Sequence, residues 1–346
     1  MPHSPLRLIL DGDALVSNWR WCDARSGEAA CGAAVKADGY GLGASEVVRR
    51  LRGAGCGAFF VATWAEAAAL RAETEGVSLA VLHGVAEEDL AEAVASPARP
   101  VLNSAAQVRR WKAAAPGRPC DVMIDTGIGR LGLSPEEARS GLLDGLVIDT
   151  LMSHLASADE DAPMNPRQRD SFAALTDAIP ARRRSLANSA GICLGHKYGF
   201  DLTRPGLALY GGVPRREAEG HVRQVVRVEA QVVQRKRIEA GASVGYNATW
   251  TAQEACDLAI LNIGYADGYL RGFSSRGRAH FEGVDMPVVG RVSMDLTAVR
   301  CDDARGLIEG DWVEIDYALP EAAAQSGLSQ YELLTTLGGR HARIWR

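Results

Sequence analysis

The chain changes its hydrophobic period once, and that change constrains its fold more than anything else in the sequence. Up to about residue 215, short apolar runs alternate with segments of helical period. Ala58-Phe59-Phe60-Val61-Ala62 has no polar alternation, as expected of a strand covered on both faces. Leu79-Ala80-Val81-Leu82, Pro100-Val101-Leu102, Val122-Met123-Ile124-Asp125 and residues 146–154 read the same way. Helical stretches lie between them: one opened by Thr63-Trp64-Ala65-Glu66 with capping-box spacing, others over 87–95, 105–114 and 134–143. Repeated βα units of this length point to a (β/α)8 TIM-like barrel rather than an open sheet, although counting alone does not separate the two. From about residue 222 the period falls to two. Residues 222–238, 257–263, 284–289, 295–301 and 312–315 alternate apolar and polar side chains between glycine turns, which predicts a mostly antiparallel β-domain. A helix is expected over 331–337. The expected division is therefore an α/β barrel over residues 1–221 and a C-terminal β-domain over 222–346. The basic run Arg340-His341-Ala342-Arg343-Ile344-Trp345-Arg346 reads as a solvated end.

Composition narrows the partners. A formal net charge of -5 argues against nucleic acid, whose phosphates want a basic face. Seven cysteines, an odd number without a CxxC pair, fit reduced thiols, and Cys31 and Cys193 read as small core residues. The start of the chain lacks the charged-then-apolar build of a signal peptide, and nothing approaches the roughly 20 apolar residues of a membrane span. A cytoplasmic protein with no membrane partner and no metal site is expected.

Within this frame one lysine stands out. Lys36 follows the small apolar run Cys31-Gly32-Ala33-Ala34-Val35 and precedes Ala37-Asp38-Gly39-Tyr40-Gly41-Leu42-Gly43. A lysine at the end of a buried strand is costly to keep charged, so its pKa tends to fall. Such an amine suits Schiff-base chemistry with an aldehyde cofactor. The segment alone fits equally well a surface lysine beside a turn. Position adds to the first reading: Lys36, Arg130, His154, Ser189 and Arg204 each follow an apolar run and precede a loop or helix. That places them at the C-terminal ends of strands, where barrel active sites are built.

Val35-Lys36-Ala37-Asp38-Gly39-Tyr40-Gly41 resembles the cofactor-lysine motif of the alanine racemase family. The likeness recurs in order at Asp125-Thr126-Gly127-Ile128-Gly129-Arg130-Leu131-Gly132, Ser153-His154-Leu155-Ala156-Ser157-Ala158-Asp159 and Asn188-Ser189-Ala190-Gly191. It continues at Arg204-Pro205-Gly206-Leu207-Ala208-Leu209-Tyr210-Gly211, Val244-Gly245-Tyr246-Asn247-Ala248-Thr249-Trp250, Ile263-Gly264-Tyr265-Ala266-Asp267-Gly268-Tyr269 and Gly290-Arg291-Val292-Ser293-Met294-Asp295. These matches span nearly the whole chain. The resemblance implies a TIM barrel followed by a β-domain, with pyridoxal 5′-phosphate as cofactor and a homodimer as the active unit.

It also assigns roles. Lys36 would hold the cofactor aldehyde and act as base on the D-face of the substrate. Ser189, Gly206 and Leu207 would cradle the phosphate through backbone N–H groups, with the Tyr40 hydroxyl. Arg204 would face the pyridine nitrogen; a guanidinium donates there but does not give up its proton, which should suppress transamination. Tyr246, contributed by the opposite subunit, would be the base on the L-face, supported by His154 hydrogen-bonded between it and Arg204. Arg130 and the backbone N–H of Met294 would hold the substrate carboxylate. Tyr265, Arg271, Asp159 and Arg291 match residues lining the entrance. Singly, each of these motifs is an ordinary turn, ion pair or structural hydrogen bond.

Two departures bear on specificity. Many family members carry a carbamylated lysine seven positions before the carboxylate arginine, and Met123 stands there. The position at which some relatives place a tyrosine near the phosphate and inner gate falls on Gly339, which puts strict alanine specificity in doubt. The leading expectation is interconversion of L- and D-alanine, supplying D-alanine for peptidoglycan. The alternatives are a broad or serine-preferring racemase and a non-catalytic pyridoxal-phosphate carrier, a class that lacks the C-terminal domain. A dinucleotide enzyme is disfavoured because Gly41-Leu42-Gly43-Ala44-Ser45-Glu46 fails GxGxxG at its third glycine.

Overall fold

The computed structural model describes residues 3–346, which divide into two compact units. One comprises Leu15–Arg223; the other joins the residues up to Ala14 to Gln224–Arg346.

In the first unit seven strands pair in parallel and in chain order: Ala33–Ala34, Ala58–Val61, Ser78–Val81, Arg99–Leu102, Pro119–Met123, Val147–Met152 and Arg183–Ser185. The eighth, Leu202–Thr203, closes the ring. On one side the Asp201 N–H donates to Arg184 O and the Arg204 N–H to Ala187 O; on the other, the N–H groups of Ala30, Gly32 and Ala34 donate to Asp201, Thr203 and Pro205. The strands are the apolar runs of the sequence, and Ala58–Val61 is buried at every position. The helices between them start where short polar side chains take over the orphan N–H groups. Thr63 with Glu66 and Ser134 with Glu137 form capping boxes, and Ser104 and Asn188 cap alone. The helix expected over 134–143 is shorter, Pro135–Arg139. Inside the barrel, fully buried Asp121 pairs with Arg99 at 3.1 Å, and Arg99 reaches Asp149 at 3.1 Å.

The second unit is built on the 13-residue strand Val226–Ile238, which pairs antiparallel with Leu6–Leu10, Trp312–Ile315 and Cys256–Leu261. Cys256–Leu261 adds Thr297–Arg300, and Arg278–Phe281 joins Val284–Pro287 to the Trp312–Ile315 strand. The late helix is Gln330–Thr335, capped by Ser329 and Glu332.

Two expectations differ from the structure. The first strand, Leu6–Leu10, pairs within the β-rich unit and not in the barrel, so the chain contributes to that unit from both ends. The basic C-terminal run is not a solvated end: Ala342–Trp345 is a strand parallel to Leu6–Leu10. Its alternation of exposed Ala342 and Ile344 with half-buried Arg343 and Trp345 reverses the usual charge-out pattern, which is why composition alone hid it. All seven cysteines are free and buried, Cys31 and Cys193 included. Among the described residues no helix is long and apolar enough to cross a membrane.

Candidate active site

Lys36 follows the Ala33–Ala34 strand and is half-buried. Burial pulls its amine below the ordinary lysine range, the Arg130 charge lowers it further, and the Glu66 carboxylate opposes both. The backbone just past the lysine turns with unusual handedness. Ala37 (φ 54, ψ 48), Asp38 (φ 52, ψ 49), Gly39 (φ 62, ψ 45) and Tyr40 (φ 55) form one left-handed helical turn. L-residues reach this region at a cost, and three of the four are not glycine. The turn is held at both ends: the Glu66 carboxylate accepts the Ala37 N–H at 2.6 Å, and Asp38 Oδ1 accepts the Ala44 N–H at 2.8 Å.

The turn delivers Tyr40 inward. Its ring stacks on Tyr210 at 4.6 Å between centroids, and Tyr210 donates to Ala34 O at 2.8 Å. The Tyr40 hydroxyl lies against Gly206, where an added Cβ would come within 2.2 Å of it. Ser189 Oγ accepts the N–H groups of Gly206 at 2.9 Å and Ala208 at 3.2 Å. Ser189, Gly206 and Tyr40 are thus brought together, with Leu207 next in the chain, and only a glycine at 206 leaves room for the Tyr40 hydroxyl. A concave cluster of backbone donors and hydroxyls of this kind suits an anion such as a phosphate.

Arg204 is buried without a carboxylate partner. Its guanidinium donates to Ser185 Oγ and, at 2.6 Å, to Ser153 O; burial pushes it down to about 10, against the pull of Asp121. His154 lies among cations. Burial, then Arg204, Arg130 and Lys36, push its imidazole down to about 3, so it is neutral at physiological pH. Among the described residues no hydrogen bond joins His154 to Arg204; the guanidinium's terminal nitrogens donate to Ser185 and Ser153. Arg130 is exposed on a loop that Asp125 organises by accepting the N–H groups of Gly127, Ile128, Gly129 and Arg130 at 2.8–3.2 Å. Burial works to raise the Asp125 carboxyl, yet these four donors hold it below the usual range. Met123, at the position where many family members carry a lysine, is buried and apolar.

Several of these supports had no clear signal in the sequence. The capping motif marks Glu66, but not its bond to the lysine's turn across 29 positions. Gln168, mid-helix and without any local signal, ties the His154 carbonyl (2.9 Å) to Thr126 (3.4 Å) and accepts the Ala156 N–H. Tyr210 sits in a matching motif, yet nothing in that motif marks it as the ring on which Tyr40 stacks.

In the second unit the remaining motifs converge on one face. The Tyr265 N–H donates to Ser293 O and the Ala266 N–H to Met294 O, each at 3.0 Å, and the Arg271 guanidinium sits 5.1 Å from the Tyr265 ring. A Cβ on Gly290 would come within 2.5 Å of Val244 O, which sets the Tyr246 turn beside Arg291. Tyr246 and Met294 are 66% and 53% exposed, so nothing in the chain covers the two side chains. Gly339 is exposed, with open space around its Cα. The side chain this segment buries is His341, which burial pushes down to about 4 and whose Nε2 has no partner.

By fold and site the chain is an α/β-barrel protein with a half-buried, pKa-lowered lysine at a strand end and a separate β-unit. The comparisons are more specific. Residues 10–214 match the family model described as "Alanine racemase, N-terminal domain", and residues 225–345 match "Alanine racemase, C-terminal domain". The "Alanine racemase" of Acidiphilium cryptum is 41% identical over 97% of this chain and 98% of its own length. The "Alanine racemase, catabolic" of Mesorhizobium japonicum is 42% identical over 97% and 92%. The crystal structure of alanine racemase from Bartonella henselae "with covalently bound pyridoxal phosphate" superposes with a TM-score of 0.92 at 35% identity, covering 100% of both chains. The chain belongs to the alanine racemase family.

Proposed function

We propose that this chain is a pyridoxal 5′-phosphate-dependent racemase that interconverts L- and D-alanine, with Lys36 and Tyr246 as its two bases. The observation that carries the reading is Lys36, an amine shifted toward its neutral form whose turn delivers Tyr40 against Gly206, where a Cβ would strike the Tyr40 hydroxyl. When bound, the cofactor supplies an aldehyde that captures amines and a ring that takes up the electron pair left when the α-proton departs.

This chain's residues do the rest. Ser189, Gly206, Leu207 and Tyr40 would hold the phosphate. Lys36 would hold the aldehyde and, when free, would take or return a proton on the D-face of the substrate. Arg204 would face the ring nitrogen as a donor and would not protonate it, since even at about 10 it keeps its own proton at neutral pH. Arg130 offers a planar fork to the substrate carboxylate, and the Met294 N–H adds a donor. His154, neutral among cations, supports Tyr246 as a hydrogen-bonding group and not as a charge. Tyr246 and Met294 complete the site of a second copy, which accounts for their exposure and makes the active unit a homodimer. The division of labour follows the two units, the barrel holding the cofactor and the β-domain, with its N-terminal strand, supplying the opposite face. The cellular role would be D-alanine supply for peptidoglycan. Open space at Gly339 favours, as second reading, a broader range that includes serine.

The test is incubation of the cofactor-loaded protein with L-alanine in D2O. D-alanine carrying deuterium at Cα is the expected product, and the same assay with L-serine measures breadth. Bound cofactor with no exchange on either amino acid refutes the proposal.

A further inference from the structure

We propose that Glu66 is a positioning residue for Lys36: its carboxylate clamps the left-handed turn on which the lysine is presented and so keeps the amine where it holds the cofactor. This rests on the reading of Lys36 as the residue that binds the cofactor aldehyde.

The geometry is particular. A left-handed turn, like any helix start, leaves its first N–H without a backbone acceptor. In this chain that donor is Ala37 N–H, one peptide beyond the lysine, and Glu66 Oε1 takes it at 2.6 Å. The other oxygen, Oε2, accepts Ala62 N–H at 2.6 Å and Thr63 N–H at 3.2 Å, at the end of the adjacent Ala58–Val61 strand. One carboxylate therefore fastens the lysine's turn to the neighbouring barrel strand. Hydrogen bonds to an ionised acceptor are the strong ones. Within the turn, the Gly41 N–H donates to Ala37 O and the Gly43 N–H to Asp38 O; the Gly39 N–H donates back to Val35 O and Asp38 Oδ1 accepts the Ala44 N–H, but the Ala37 N–H is tied to the barrel by Glu66. Without Glu66, the Ala37 N–H loses the acceptor that holds it, Ala37 is free to leave its φ near +50°, and Lys36 moves with it. The same carboxylate is the nearby negative charge that opposes the loss of proton affinity at Lys36. Capping the helix Trp64–Ala69 is the ordinary duty of a glutamate at this place; the bond to Ala37 is additional to it.

The covalent step that reads this out is simple: the Lys36 amine condenses with the cofactor aldehyde, a carbon–nitrogen bond forms, and the aldehyde oxygen leaves as water. Three variants of the cofactor-loaded protein separate the roles. Glu66→Gln keeps one carbonyl oxygen, enough for Ala62 and Thr63, and turns its NH2 toward the Ala37 N–H, donor against donor. Thr63→Ala breaks the helix cap and leaves the Ala37 bond intact. Glu66→Gln combined with Ala37→Gly lets the turn adopt its conformation without a clamp, because glycine is at ease at positive φ.

The readouts are cofactor release into a scavenging amine, borohydride fixation of cofactor on the Lys36 peptide by mass spectrometry, and hydrogen exchange at the Ala37 amide. Glu66→Gln should release cofactor about tenfold faster, the population cost of one unheld left-handed residue, and expose the Ala37 amide. Thr63→Ala should do neither, and adding Ala37→Gly should recover most of the retention. Release from Glu66→Gln at the parent rate overturns the inference, as does equal loss in Thr63→Ala. If the parent protein carries no cofactor on Lys36, the reading beneath falls and takes this inference with it.

Discussion

His154 should make the barrel unit acid-sensitive in a pH range just below neutrality. Its imidazole is pushed from 6.5 to about 3 by burial and by Arg204, Arg130 and Lys36. Above about pH 6.5 the group is neutral in folded and unfolded chains alike and contributes nothing to pH dependence. Below it, the unfolded chain binds a proton that the folded chain refuses, so stability falls as the pH drops and stops falling only near pH 3. Each pH unit costs about 1.4 kcal/mol per group, so His154 alone removes about 2 kcal/mol on going from pH 6.5 to 5. His341, pushed to about 4, imposes a similar slope on the other unit. Urea unfolding of the parent and His154→Gln, followed between about pH 7.5 and 5, isolates the term. The variant differs at neutral pH for its own reasons; the diagnostic is slope. The barrel transition of His154→Gln should lose about 2 kcal/mol less than the parent's over this range. An unchanged slope would refute the placement of a neutral imidazole among three cations.

Three substitutions probe the remaining assignments. Gly206→Ala puts a methyl 2.2 Å from the Tyr40 hydroxyl and should weaken cofactor affinity by about 1–3 kcal/mol, with partial recovery on adding Tyr40→Phe, measured by equilibrium titration. Tyr246→Phe should slow proton removal from L-alanine by about 100-fold or more and from D-alanine much less, read by single-turnover deuterium exchange; equal losses count against two separate bases. Arg204→Glu should raise pyruvate formed per racemisation event by about tenfold or more, because a carboxylic acid, unlike a guanidinium, leaves the ring nitrogen free to be fully protonated. An unchanged side reaction removes that account of Arg204.

How much of this was legible in the sequence depends on the reach of the interaction concerned. Strands such as Ala58–Val61 and caps such as Thr63 with Glu66 are local patterns, and the sequence displays them directly. Lys36, Arg204 and Ser189 were readable because each closes an apolar run, and a barrel gathers strand ends on one face. The left-handed turn after Lys36 was not legible. Alanine and tyrosine have no preference for positive φ, aspartate's is slight, and the acceptor that takes the Ala37 N–H lies 29 positions away. The same holds for Gln168, whose three bonds join two active-site loops from the middle of a helix. The C-terminal strand was hidden because its pairing partner, Leu6–Leu10, is at the other end of the chain.

The charge distribution of the site asks for an anion, and that is testable without substrate. Lys36, Arg130 and Arg204 all act on His154, and among the described residues none of the three has a carboxylate within ion-pair distance. Glu66 and Asp121 offset Lys36 and Arg204 only from farther off. Arg204 is a buried charge and Lys36 a half-buried one, each without a close counterion, which is expensive, so the cofactor-free barrel should be stabilised by inorganic phosphate occupying the place of the cofactor's own phosphate. At a hundredfold excess over its dissociation constant, phosphate should add about 2.7 kcal/mol. For a unit of this size that is a rise of roughly 5–10 °C in the barrel's unfolding midpoint. Sodium chloride at equal ionic strength should give only the smaller effect of screening. Gly206→Ala, by driving the Tyr40 hydroxyl from its place against residue 206, should abolish the difference between the two salts while leaving all three cations in place. If chloride stabilises as well as phosphate, or the variant keeps the preference, the cations are merely tolerated by the fold and the cradle is not an anion site.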